Sequence, residues 1–252
     1  MYTFQQLKWA AKLDLSSAPE VRLTLMGNCA MQLLATALAG CEKNAGINLY
    51  VFDVDYNRID TRVMDEGSEL YKSKPQHVLM QMCSEKLFED FCRSDISARR
   101  TFGSDLAAHI AENRETILER CGARILKYDF VEINDRVFGN YAVKTDVSFL
   151  YQIRVLNMKL MEYAATHKNV CLVSMSDISN VMGRREFFDE KYYYTAKTPL
   201  SLKALPLAAK RAVDIILALS GRFKKCAVLD LDKTRWGSFI TLAMRWRIYI
   251  RL

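Results

Sequence analysis

The chain has 252 residues, room for one large domain or two small ones at roughly 100–200 residues each. Apolar residues make up 50% and charged residues 26%, which excludes a disordered chain, and 10 Gly with 4 Pro exclude collagen-like and linker-like sequence. The formal charge of +7 is uneven: from Gly221 onward stand eight basic and two acidic residues, and the first 220 residues hold 28 basic against 27 acidic.

Short β-branched runs alternate with helical patterns along the chain. Val21–Met26 is predicted as a strand, followed by a helix over Met31–Leu38. Asn48–Val54 and His77–Met82 are predicted as strands, and Ser84–Phe91 as an amphipathic helix. Residues Ser97–Arg120 place Leu106, Ile110, Ile117 and Leu118 on one stripe of a long helix. A strand is expected over Arg124–Ile133, a helix over Ser148–His167 and a strand over Asn169–Met175. Leu202–Leu219 reads as a helix capped by Ser201 and closed by Gly221, and Lys224–Leu231 as a last strand. The expected fold class is a three-layer α/β/α protein with a mostly parallel sheet. Lys197-Thr-Pro-Leu-Ser suggests a domain boundary, with residues 1–196 forming one domain and 197–252 the start of a second.

Seven Cys stand at positions 29, 41, 83, 92, 121, 171 and 226. Their number is odd and no pair has C-x-x-C spacing, so free thiols in a reducing cytosol are expected rather than disulfides or a zinc site. Lys8, Lys12 and Asp14 precede any long apolar run, so no signal peptide is predicted. No stretch approaches the ~18 apolar residues of a membrane helix. A cytoplasmic protein with no membrane partner is expected.

The sharpest motif follows the last predicted strand. Lys224-Lys-Cys-Ala-Val-Leu-Asp230-Leu-Asp232-Lys-Thr234 is an apolar strand ending in Asp-x-Asp-x-Thr. Alternation puts Asp230 and Asp232 on the same side at a strand's carboxyl end, where open α/β sheets bind ligands. Two carboxylates there can divide phosphoryl transfer. The first attacks phosphorus, the second protonates the leaving oxygen, and Mg²⁺ neutralises the assembled negative charge. An acidic strand-end loop of no chemical role is the alternative reading.

Val228-Leu-Asp-Leu-Asp-Lys-Thr-Arg-Trp-Gly resembles motif I of the haloacid dehalogenase (HAD) superfamily, in the form used by its FkbH-like, or HAD-IIIC, branch. Phe188-Asp-Glu-Lys-Tyr-Tyr-Tyr-Thr-Ala-Lys-Thr-Pro-Leu-Ser and Leu25-Met-Gly27-Asn28-Cys29 are similar to that branch's upstream segments. The resemblance implies an SGNH-hydrolase-like, flavodoxin-like N-terminal domain followed by a HAD phosphatase-like domain. It also implies handling of a phosphorylated three-carbon acyl donor and an acyl carrier protein. By this carry-over Asp230 is the nucleophile, Asp232 the acid/base, and both are Mg²⁺ ligands. Thr234, Asn28 and Cys29 are expected to contact substrate. Lys233 and Arg235 depart from the branch's usual Asn and Leu.

In SGNH hydrolases a nucleophilic Ser sits in a G-D-S turn and a D-x-x-H supplies the base. Here Gly27-Asn28-Cys29 occupies the turn and Asp189 is followed by Glu-Lys-Tyr, with only His77, His109 and His167 in the chain. Asn134-Asp135 lacks the Gly of a G-x-N-D block. Asn28, Cys29 and Asn134 are therefore read as parts of a binding cleft rather than a working triad. This leaves two function classes: a HAD-type phosphatase, catalytically incomplete over this span, or a non-catalytic carrier-binding or scaffold module. A third class, nucleic-acid binding through Arg245, Trp246, Arg247 and Tyr249, is not favoured by so short a run.

After Trp236-Gly237 the branch continues with acidic, Gly-rich sequence, whereas this chain reads Ser238-Phe-Ile-Thr-Leu-Ala-Met-Arg-Trp-Arg. The expectation is a frameshifted or truncated member. The nucleotide sequence after codon 237 is then expected to encode the acidic HAD remainder in another frame; three frames without it would make the basic segment native.

Overall fold

The computed structural model describes residues 2–53 and 58–222. The chain opens with helix α1 (Phe4–Ala10), strand β1 (Glu20–Gly27), helix α2 (Gln32–Asn44) and strand β2 (Asn48–Asp53). Two short helices, α3 (Ile59–Met64) and α4 (Glu69–Lys72), lead to β3 (His77–Gln81). Then come α5 (Ser84–Arg93), α6 (Ile96–Arg99), the long α7 (Phe102–Cys121) and β4 (Arg124–Tyr128). Helix α8 (Phe149–Thr166) precedes β5 (Val170–Val173), followed by α9 (Met175–Met182), α10 (Arg184–Phe187), α11 (Glu190–Ala196) and α12 (Leu205–Leu219).

All five strands pair in parallel, in the order β2-β1-β3-β4-β5. This is the doubly wound order whose switch point lies between β1 and β3. The apolar residues of β1 and β3–β5 run nearly without interruption, as a sheet buried on both faces requires. On one face Met26, Val78, Met80, Ile125 and Val170 pack with Ile117 of α7 and Val63 of α3. On the other, the Tyr128 hydroxyl donates to the Ala208 carbonyl of α12 at 2.9 Å, both fully buried. A second apolar cluster joins Leu87 and Phe91 of α5, Ile110 of α7 and Phe149 and Ile153 of α8. Within it Phe149 meets Phe88 and Phe91 edge-on at 5.1 and 5.3 Å between ring centres.

The mostly parallel α/β/α class expected from the alternation is the one observed, and several boundaries shift for identifiable reasons. The strand expected to reach Ile133 stops at Tyr128, because the Asp129 carboxylate turns aside to accept the Met175 and Ser176 amides at 2.6 and 2.9 Å. It thereby caps α9, and Ser174, expected in a strand, is the N-cap of that helix. The Asn157 side chain takes both backbone groups of Phe130. The helix predicted over Ser97–Arg120 is split into α6 and α7. The start of α7 is anchored on α8, where the Gly103 amide donates to Gln152 Oε1 at 2.9 Å. A Cβ at Gly103 would stand 2.3 Å from the Gln152 carbonyl oxygen.

The first compact unit runs to Ile216. Helix α12 buries Ala208, Ala209, Ala212, Val213 and Ile216, and the Lys197 carbonyl accepts the Ala30 amide at 2.9 Å. The apolar face of α12 up to Ile216 is thus buried within that unit. Leu217–Leu252 forms the other unit; the expected strand Lys224–Leu231 lies outside the described residues. No helix among the described residues is long and apolar enough to cross a membrane.

At Gly27 an added Cβ would stand 2.0 Å from the Gln81 carbonyl oxygen and 2.7 Å from Met31 Sδ. Gly27→Ala is expected to cost about 3 kcal/mol by overpacking, read as a lower midpoint in urea unfolding; an unchanged midpoint would contradict this packing.

Candidate binding cleft at the strand switch point

The carboxyl ends of β1 and β3 diverge at Asn28 and Met82. Asn28 holds them in register. Its amide N–H donates to the Gln81 carbonyl at 3.3 Å, and its side-chain Oδ1 accepts the Cys83 amide at 2.8 Å. The side-chain oxygen is therefore spent, and Nδ2 is the donor that remains; it has no partner among the described residues.

Beside Asn28 opens a cleft of about 230 Å³. Its walls come from the end of β3 (Met80), the following Met82, α5 (Lys86, Leu87, Asp90), α3 (Ile59, Asp60) and α7 (Leu106, His109, Ile110, Asn113). The stripe of α7 that sequence periodicity assigns to the core thus also supplies the cleft. His109 Nε2 lies 2.8 Å from Asp60 Oδ1, and Asn113 Nδ2 donates to the same oxygen at 2.7 Å. Asn113 is almost fully buried and ties the pair to the core, whereas His109 and Asp60 keep about half or more of their side chains exposed. The other rim charges neutralise one another: Lys86 Nζ lies 3.6 Å from Glu89 and 3.9 Å from Asp90.

Cys29 is placed differently. Its thiol is 1% exposed and lies under the turn, beside Met31, Leu34 and Leu205. A hydrogen bond with the Cys83 thiol, then burial, then the charge of Glu85 push its pKa well above the ordinary thiol range. A thiol held protonated is a poor nucleophile. None of the three histidines hydrogen-bonds to it. His77 stands at the opposite end of β3, its pKa lowered to about 4 by burial and by Arg124. His167 stacks on Tyr163 at 3.9 Å at the end of α8, and His109 belongs to the cleft.

Asn134 lies in a loop, its Oδ1 accepting the Arg136 amide at 2.9 Å, and does not line the cleft. Asp189 caps α11 through the Tyr192 amide at 3.0 Å. Asp230, Asp232 and Thr234 lie outside the described residues. Among the described residues no group of three His, Cys, Asp or Glu side chains could hold a metal ion.

Two cations sit inside the protein. Lys127 on β4 is fully buried, its Nζ donating to the Tyr128 carbonyl at 2.6 Å and resting 4.1 Å from the Phe130 ring centre. Burial, reinforced by Arg114, lowers its pKa to about 7. Arg114 of α7 is also fully buried, over the Tyr163 ring at 5.2 Å, with its pKa lowered to about 10 by burial. Glu85 has its carboxyl pKa raised by burial, opposed by Arg184 at 2.8 Å.

Sequence reasoning found Asn28 through the Gly-Asn-Cys turn. It missed the Asp60–His109–Asn113 cluster, whose members come from two helices far apart in sequence. The only available signal was the spacing of His109 and Asn113, one helical turn apart.

Residues 22–217 match the family FkbH, N-terminal domain. The crystal structure of the N-terminal part of protein BF1531 from Bacteroides fragilis, containing a phosphatase domain and complexed with Mg, is similar at 34% identity and a TM-score of 0.88. The match covers 95% of this chain and 63% of that one, so this chain spans less than two thirds of that relative's length. More distant matches include a lipase/acylhydrolase from Enterococcus faecalis at 14% identity and a TM-score of 0.49, covering 82% of this chain and all of that one. A GDSL-like lipase from Bacteroides thetaiotaomicron stands at 13% identity and a TM-score of 0.46, covering 85% of this chain and 99% of that one. No curated protein matches the chain. With its family match running from β1 into α12, the chain belongs to the FkbH N-terminal domain family.

Proposed function

We propose that this chain belongs to a two-part phosphatase-type protein, in which the described α/β domain binds and presents a ligand while phosphoryl chemistry resides at Asp230 and Asp232. The observation that carries the first half is Cys29. It stands where the resemblance to SGNH hydrolases puts the nucleophile, yet its thiol is buried, and the neighbouring Cys83 and burial push its pKa well above the ordinary thiol range. The second half is supported by the Asp-x-Asp-x-Thr run and by the Mg-bound, phosphatase-containing relative.

In this reading Asp230 and Asp232 hold Mg²⁺, which supplies charge neutralisation for the phosphoryl group. Asp230 would attack phosphorus as the P–O bond to the leaving oxygen breaks and Asp232 protonates that oxygen; water would then hydrolyse the aspartyl phosphate to release phosphate, with Thr234 contacting the phosphoryl oxygens. The substrate class is a phosphorylated three-carbon acyl donor, and the macromolecular partner an acyl carrier protein. The second reading, a non-catalytic carrier-binding or scaffold module, rests on the same burial of Cys29 and dispenses with the phosphoryl step.

Two assays separate these. With p-nitrophenyl acetate, wild type and Cys29→Ala are expected to hydrolyse equally, at the buffer rate; turnover lost in Cys29→Ala would contradict the binding role of the α/β domain. In a two-part protein that carries the complete HAD-type domain, Mg²⁺-dependent phosphate release from acetyl phosphate is expected to fall at least about a hundredfold in Asp230→Asn. Carrier-protein binding without any Mg²⁺-dependent release selects the second reading.

A further inference from the structure

The cleft at the switch point has a chemistry of its own, independent of Asp230. Three features define what fits it. The first is a fixed donor. With Asn28 Oδ1 accepting the Cys83 amide at 2.8 Å, the amide plane is set and Nδ2 is left to donate, so the complementary ligand atom is an acceptor. The second is an apolar wall of Met82 and Leu106, backed by the buried Met80 and Leu87. Thioether side chains adapt to irregular aliphatic chains. The third is charge. Asp60 and Asp90 bring two carboxylates, and the cleft's one lysine, Lys86, lies within 4 Å of both Asp90 and Glu89. No cation is left over for a phosphate or carboxylate.

We propose that this cleft binds a small uncharged acyl compound, an amide or ester, with its carbonyl oxygen on Asn28 Nδ2 and its chain along the Met82–Leu106 wall. His109 faces the same space. Its Nε2 is held by Asp60 at 2.8 Å, and Asp60 is held by Asn113 at 2.7 Å. Its Nδ1 has no partner among the described residues and is available to a polar group at the ligand's other end. The donor and the Asp60–His109 pair are anchored before any ligand arrives, which reduces the entropy lost on binding. A phosphorylated compound is refused by Asp60, which positions the imidazole, and by Asp90.

The test is a titration of the full chain, labelled at methionine methyls, with N-butylacetamide and with butyl phosphate. N-butylacetamide is expected to shift the Met80 and Met82 resonances saturably, and butyl phosphate is not. Asn28→Asp keeps the acceptor for the Cys83 amide and removes the Nδ2 donor, so its affinity for N-butylacetamide is expected to fall roughly tenfold or more. Should Asn28→Asp fail to fold, His109→Ala, at a half-exposed position, decides, with an expected loss of several-fold in affinity. No saturable shift with N-butylacetamide, equal or tighter binding of butyl phosphate, or unchanged affinity in the deciding variant would each overturn the proposal. Because p-nitrophenyl acetate hydrolysis and phosphate release are read separately, failure here leaves the assignment of Asp230 and Asp232 untouched.

Discussion

The architecture turns on how closely β1 and β3 approach at their carboxyl ends. Gly27 sits opposite Gln81 in the parallel register, so near that a Cβ would stand 2.0 Å from the Gln81 carbonyl oxygen. Only glycine allows the contact. It lets Asn28 reach across and bind the Cys83 amide, which fixes where β3 passes into α5. The same clasp forces Cys29 under the turn against Cys83 and leaves the outer edge of Asn28 facing the cleft. One steric constraint thus buries Cys29 and leaves Asn28 at the edge of the cleft.

Burial then sets the chemistry of the groups around the clasp. The neighbouring Cys83 and then desolvation push Cys29 up, and desolvation pushes Lys127 down, because each is favoured in its uncharged form away from water. For Cys29 the folded-state pKa lies above the unfolded one, so its contribution to stability is present at neutral pH and is lost as the pH rises through the folded value. For Lys127 the folded value of about 7 lies below the unfolded one, so its contribution is present above the unfolded value and is lost as the pH falls through about 7. Neither group is exposed to ligand. The titratable side chains that do face solvent, His109 and Asp60, are held by one another and by Asn113 instead.

The order of strands and helices was legible because the parallel strands are apolar on both faces and the long helices keep a 3.6-residue stripe. Element ends were less so. Asp129 and Ser174 look like strand residues until their side chains are seen capping α9, a competition between local side-chain bonds and the ladder that sequence alone does not decide. Lys197-Thr-Pro-Leu-Ser reads as the opening of a helix that leads into Lys224–Leu231, and sequence alone carries no sign that the Tyr128 hydroxyl donates to the Ala208 carbonyl of that helix. Of the residues that line the cleft, the Gly27-Asn28-Cys29 turn supplies Asn28 alone. The Asp60–His109–Asn113 cluster depends on α3 and α7 meeting in space, and single-sequence periodicity carries no such pairing.

The central claim is that Asn28, and not Cys29, is the working residue of the turn. A crystal of the chain soaked with N-butylacetamide tests it most directly. The account predicts ligand density in the cleft, with the carbonyl oxygen within hydrogen-bond distance of Asn28 Nδ2 and the Cys29 thiol unchanged. Density at Cys29 with the cleft empty would contradict it.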